Sequence, residues 1–101
     1  MKYITIDADY LSSGVKDSNG NQLSNEDLKL PKNIWNEIQK WVQDYSQIIQ
    51  LDDNERKNEV ELIRRLDNCG IDLCQKVLTH FNGKIKIEYY SEGFLKKIPI
   101  K

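Results

Sequence analysis

Acids and amides alternate in one loop: Asp17, Asn19 and Asn21 within KDSNGNQLSNED, residues 16–27. That spacing opens a calcium loop. Counting from Asp17, the sixth position needs Gly for its sharp turn and holds Gln22. The twelfth needs a bidentate acid and holds Leu28. Asn19-Gly20 is instead the pairing of a tight turn. Ser24 to Asp27 resembles a capping box around one short helical turn. Asp7 and Asp9 flank Ala8 after a strand, where phosphatases and nucleotide-sugar enzymes place metal-binding acids. Those folds need a large α/β sheet that this chain has no room for, so the pair reads as a strand end. No metal and no cofactor is expected.

The remaining reactive side chains are sparse. His80 is the only histidine. Any triad would have to use it, and on a helical wheel it falls beside the polar face, as a solvated residue. Cys69 and Cys74 are five apart, share no helix face well, and lack further ligands for zinc. Asp67 projects into an apolar stripe with Val60, Gly70 and Cys74. A buried acid there needs a partner; Arg64, Trp35, Trp41 or a backbone N–H could supply one, and the residue reads as a structural anchor. No catalytic constellation is left, so no enzyme is expected.

Charge is unevenly placed. The net charge is −1. Asp17 to Glu61 carries ten acids and five bases, whereas Leu62 to Lys101 carries eight bases and four acids. The densest acidic cluster is Asp52, Asp53, Glu55, Glu59 and Glu61. It suits first a solvated helix start, where acids complement the helix dipole, and second an acidic face for a partner. The basic half offers Lys84, Lys86, Lys96, Lys97 and Lys101 with Tyr89, Tyr90 and Phe94, a possible nucleic-acid surface. It lacks an RNP-type pattern and helix-turn-helix spacing. Lysines guarding an edge strand against aggregation are the simpler account, and nucleic acid is not the expected partner.

These residues need elements to position them. Lys2 to Asp7 reads as a strand, rich in β-branched and aromatic residues. Residues 12–27 read as a long loop. Ile34, Ile38, Trp41, Val42, Tyr45, Ile48 and Ile49 recur at helical steps, predicting a helix from about Pro31 to Gln50. Asp52-Asp53-Asn54 interrupts and offers an N-cap. Val60, Ile63, Leu66, Gly70, Cys74, Val77, Leu78 and Phe81 predict one long helix, about Glu55 to Phe81, ended by Asn82-Gly83. Gly70 on that stripe could admit another backbone. Lys84 to Tyr90 alternates as a strand with Ile85, Ile87 and Tyr89 inward. Phe94 to Ile100 adds a short strand or tail, with Pro99 arguing for an edge.

Neither helix can bury its stripe alone, and two strands are not stable alone. The expected fold is α+β: a two-helix antiparallel hairpin packed on a small two- or three-stranded sheet. Trp41, Tyr45, Ile63, Leu66, Val77, Leu78 and Phe81 should be largely buried. Truncating Phe81 to Ala should cost about 3–5 kcal/mol. At 101 residues the chain is expected to be one domain, residues 1–101, with 39% hydrophobic and 31% charged residues placing it among globular proteins. Met1-Lys2-Tyr3-Ile4 reads as a native start, and with no signal peptide or spanning segment the expected compartment is the cytoplasm.

Three stretches carry a resemblance: KYITIDADYLSSGVKDSNGNQLSNEDLKLPKNIWNEIQKWVQDY, LDNCGIDLCQKVL and IKIEYYSEGFLKKI. Together the chain resembles small bacterial immunity proteins of polymorphic toxin and contact-dependent growth inhibition systems. The resemblance implies an inhibitor that binds one cognate toxin domain and covers its active site. A cationic nuclease would suit the acidic cluster. The expected contact residues are Asp44, Asp52, Asp53, Glu55 and Glu59, with Tyr10 and Gln47 beside them. The alternative is a nucleic-acid-binding or regulatory accessory protein that uses the basic C-terminal strand.

Overall fold

A computed structural model describes residues 2–100. Met1 of the expected start and Lys101 of the basic set lie outside the described residues. The chain runs β1 (Lys2–Asp7), β2 (Val15–Asp17), α1 (Asn25–Leu28), α2 (Lys32–Ile49), α3 (Asp53–Lys57), α4 (Val60–His80), β3 (Ile85–Ser91) and β4 (Lys96–Ile98). The class is α+β, as expected. The hairpin on two or three strands is corrected to four helices and a four-stranded mixed sheet in the order β2-β1-β3-β4.

The parallel central pair decides where the loops go. β1 and β3 run side by side, with Asp7 opposite Tyr90. Parallel strands need a crossover, and the helices between them provide it. Both strands therefore end at the same end of the sheet. β2 and β4 pair antiparallel at the two edges.

β2 lies inside the stretch expected to be loop. Its three residues are too few to show a period. The turn beyond it creates it: Asn19 and Asn21 each donate a backbone N–H to Asp17 Oδ1 at 2.9 Å, and Gly20 takes φ +84°. The Asn21 N–H, with that of Asn19, holds the Asp17 carboxyl below its usual range. Asp17 thus caps the tight turn expected at Asn19-Gly20. In the next segment, Asp27 accepts from the Ser24 N–H at 2.9 Å, completing the expected box around α1.

The predicted helix from Glu55 to Phe81 is two helices. Asp52 accepts from the Glu55 N–H at 2.8 Å, and Glu55 accepts from the Asp52 N–H at 3.2 Å. That box starts α3. The helix closes on tight three-residue bonds, Asn58 N–H to the Glu55 carbonyl at 3.1 Å and Glu59 N–H to that of Arg56 at 3.0 Å. The break sets Arg56 against the carbonyls ending α2. Its guanidinium donates to Ile48 O at 3.3 Å, to Ile49 O at 3.4 Å and to Glu92 O at 3.1 Å. α3 carries no apolar residue and the stripe begins at Val60, so the apolar pattern could not show the break.

α2 and α4 pack together over one face of the sheet. Ile4, Ile6, Val15, Ile38, Tyr45, Ile48, Val77 and Tyr89 are fully buried. Trp41, Ile63 and Leu66 are buried as expected, and Leu73 joins them. Leu78 and Phe81 are only half-buried, near the end of α4. The expected cost of Phe81→Ala falls accordingly, to about 2 kcal/mol. Gly70 admits side chains rather than a backbone: a Cβ there would lie 2.3 Å from Tyr89 Cε1 and 2.8 Å from Trp41 Cζ2.

Candidate functional site at the end of the parallel pair

Two polar constellations flank the carboxyl end of β3. The first is sealed. Asp67 of α4 is 3% exposed. Its Oδ1 accepts from Tyr45 Oη at 2.8 Å and Tyr89 Oη at 2.6 Å, and its Oδ2 accepts from Ser91 Oγ at 2.7 Å. Three hydroxyls thus converge on one side chain and satisfy both of its oxygens. Burial, reinforced by the adjacent Asp67, pushes both tyrosines far above their usual range. The Gly93 N–H donates to Tyr45 Oη at 2.8 Å, tying the β3–β4 turn to the knot. Asp67 is an anchor, as expected, but with Tyr45, Tyr89 and Ser91 as partners. Trp41 donates elsewhere, to the Leu66 carbonyl at 2.9 Å.

The second constellation opens to solvent. Lys16 Nζ bridges Asp7 Oδ2 at 3.1 Å and Asp9 Oδ2 at 3.0 Å. Glu92 comes from the β3–β4 turn, and carboxylate oxygens of Asp7, Asp9 and Glu92 lie within 4.8 Å of one another. They are close enough to share a cation, and the Lys16 ammonium serves Asp7 and Asp9. Asp7 Oδ1 is buried with no hydrogen-bond partner. Burial, against the Lys16 bond, raises the Asp7 carboxyl; the Lys16 bond lowers that of Asp9. Burial, then the charge of Asp7 and a hydrogen bond to Asp9, push Glu92 up to about 7. Three acids thus face one ammonium, and one acid holds its proton near neutrality.

The expected contact residues divide between two places. Asp52, Asp53, Glu55 and Glu59 are exposed in and beside α3. The Arg56 bond to Glu92 O joins α3 to the same end as the carboxyl cluster. Tyr10 lies in the β1–β2 loop beside that cluster, 69% exposed. Asp44 and Gln47 are exposed on α2 instead. Asp44 pairs with Lys40 at 3.0 Å, accepts from Gln47 through its carbonyl at 2.9 Å, and borders a cavity of about 280 Å³ between α2 and α4, with Trp41, Leu66, Cys69 and Lys76.

The basic alternative loses one of its three aromatics, while Tyr90 and Phe94 stay half-buried. Tyr89 is buried in the knot, Lys97 pairs with Glu88 at 3.0 Å, and Lys96 lies over the Phe94 ring at 5.8 Å. His80 is exposed, Cys69 exposed and Cys74 buried, its thiol pushed up to about 12 by burial.

Residue reasoning missed the Glu92 member of the cluster, together with Leu11 and Leu95. Glu92 meets Asp9 only because β1 and β3 are parallel, and no local spacing announces that pairing.

A family model described as Serratia CdiI immunity protein-like matches residues 2–92. The chain belongs to this family. The match covers both polar constellations and every expected contact residue. CdiI-like membership gives the chain an immunity role, implies a cognate toxin as its partner, and implies a non-enzymatic inhibitor. No curated protein and no solved structure was found to match the chain. Among the described residues, no helix is long and apolar enough to cross a membrane.

Proposed function

We propose that this chain neutralises a contact-delivered toxin domain in the cytoplasm of the cell that makes it, by binding over the toxin's active site. The observation that supports this reading is the acidic end around α3. Asp52, Asp53, Glu55 and Glu59 are all exposed there. The nearest guanidinium, Arg56, is drawn onto three backbone carbonyls. The surface therefore suits a basic active-site cleft, as in a nuclease, and would steer its approach.

Asp52 and Glu55 also cap α3, so reversing their charge would test folding and binding together. Asp53 and Glu59 accept no hydrogen bond from a helix cap and are the cleaner probes. The variant Asp53→Lys/Glu59→Lys should melt as the wild type does. It should bind an inactivated cognate toxin domain at least about tenfold more weakly. Association of the wild type should slow with salt, as steering shrinks to about 8 Å at physiological ionic strength. Lys84→Glu/Lys86→Glu is the control and should bind normally. Full protection by the acidic variant, with loss in the lysine variant, would move the interface to the basic strand.

A further inference from the structure

Three large hydrophobic side chains are strongly exposed among the described residues: Tyr10 at 69%, Leu11 at 87% and Leu95 at 59%. Isolated exposed leucines are ordinary. These three come from the two loops at the end of the parallel pair. Tyr10 and Leu11 form the β1–β2 turn that the Ser12 N–H closes on Asp9 O at 3.1 Å. Leu95 ends the β3–β4 turn that starts at Glu92. Asp9 and Glu92, from the same two turns, have carboxylate oxygens within 4.8 Å.

The backbone makes the residue types stranger. Leu11 has φ +54° and Leu95 φ +55°. Leu11 is the third residue of its turn, and Leu95 precedes the returning strand. Both are positions where a left-handed conformation favours Gly or Asn. The other non-glycine residues with positive φ, Lys29 and Asn82, are polar and end helices. At Leu11 and Leu95, then, neither backbone conformation nor solvation favours leucine. Something that covers them would.

We infer that Tyr10, Leu11 and Leu95 are the apolar anchors of the toxin interface, seated on a cationic partner surface whose basic groups meet Asp9, Glu92 and the acids of α3. This rests on the proposed immunity function and adds the part of the surface that excludes water. The charge supports a basic protein partner: Lys16 is held by Asp7 and Asp9, Arg56 by backbone carbonyls, and Lys96, beside Leu95, lies over the Phe94 ring, while Asp9, Glu92 and the exposed Asp52, Asp53, Glu55 and Glu59 outnumber Lys57 and Lys96 at this end. An apolar centre inside a polar rim is how protein interfaces concentrate affinity.

Replacing the leucines with a residue that the backbone prefers separates folding from binding. Leu11→Asn/Leu95→Asn should keep or raise the melting temperature. It should weaken binding to the inactivated toxin domain by at least about tenfold, mainly through faster dissociation. Tyr10→Ser, at an ordinary φ, should weaken binding in the same sense. Wild-type affinity in both variants would overturn the inference while leaving the immunity reading intact. Failure of the wild type itself to bind would instead remove that reading. A lower melting temperature in the double variant would show that the leucines serve the fold, and would also overturn the inference. So would a wild-type dimer, seen by light scattering, that the double variant dissolves with toxin affinity unchanged.

Discussion

Asp67 and Glu92 are two acids on either side of one strand end, with opposite surroundings. Asp67 is sealed among helices and sheet, and three hydroxyls satisfy it. Glu92 lies in a half-open turn against two other acids, and the single ammonium nearby is bonded to those neighbours rather than to it. The difference separates burial from function. Burying an acid is costly unless its oxygens find donors, as both oxygens of Asp67 do and Asp7 Oδ1 does not. A half-exposed cluster can remain frustrated because water and its own protons relieve it. The first arrangement holds the fold; the second keeps acidic groups beside the exposed Tyr10, Leu11 and Leu95.

The largest effect expected from breaking this comparison is at the sealed side. Asp67→Ala leaves Tyr45, Tyr89 and Ser91 without their shared acceptor. It should cost about 3–5 kcal/mol, much of a small domain's stability. Urea unfolding measures it. A loss under about 1 kcal/mol would show that the hydroxyls find other partners and that the knot is not the anchor.

Gly70→Ala tests the same side through packing. Ala is the better helix former by roughly 1 kcal/mol. Its Cβ would nonetheless press on the Tyr89 ring at 2.3 Å, and overpacking costs about 1–3 kcal/mol. Because Tyr89 is held by its bond to Asp67, the ring cannot retreat freely, and a net loss of about 1–2 kcal/mol is expected. Stabilisation instead would mean that the ring moves and the knot is loose.

The smallest effect lies on the open side and depends on pH. Glu92 is raised from 4.5 to about 7 in the folded chain. The folded state therefore holds a proton that the unfolded chain releases. The resulting stability is complete below pH 4.5 and is lost as pH rises through about 7. Full conversion of the raised value would be about 3 kcal/mol, and solvent around a half-buried carboxyl reduces it to about 1–2 kcal/mol. Glu92→Gln should therefore stabilise the protein by that amount near pH ~8 and make little difference near pH ~4. Equal gains at both values would remove the proton sharing between Glu92 and Asp9 from the comparison.

Legibility in the sequence follows the range of each interaction. β1, α2, α1 with its cap, the start of α3 at Asp52 and the chain reversal at Asn82-Gly83 were readable, because periodicity and capping act within a few residues. So was Asp67 as a buried anchor, since its place on an apolar stripe is local. Its partners were not, because Ser91 and Tyr89 arrive from a strand that only the fold brings over α4. β2 escaped because three residues cannot show alternation. The break at Asn58 escaped because α3 carries no apolar residue, so no stripe exists on its side of the turn to change phase. The acids around α3 could be found by counting charge. The carboxyl cluster and the exposed leucines could not, since nothing local distinguishes Glu92 from a solvated turn residue or Leu95 from a core residue. Parallel pairing of β1 with β3 places the two turns together, and that pairing rests on contacts between segments separated by four helices and an edge strand.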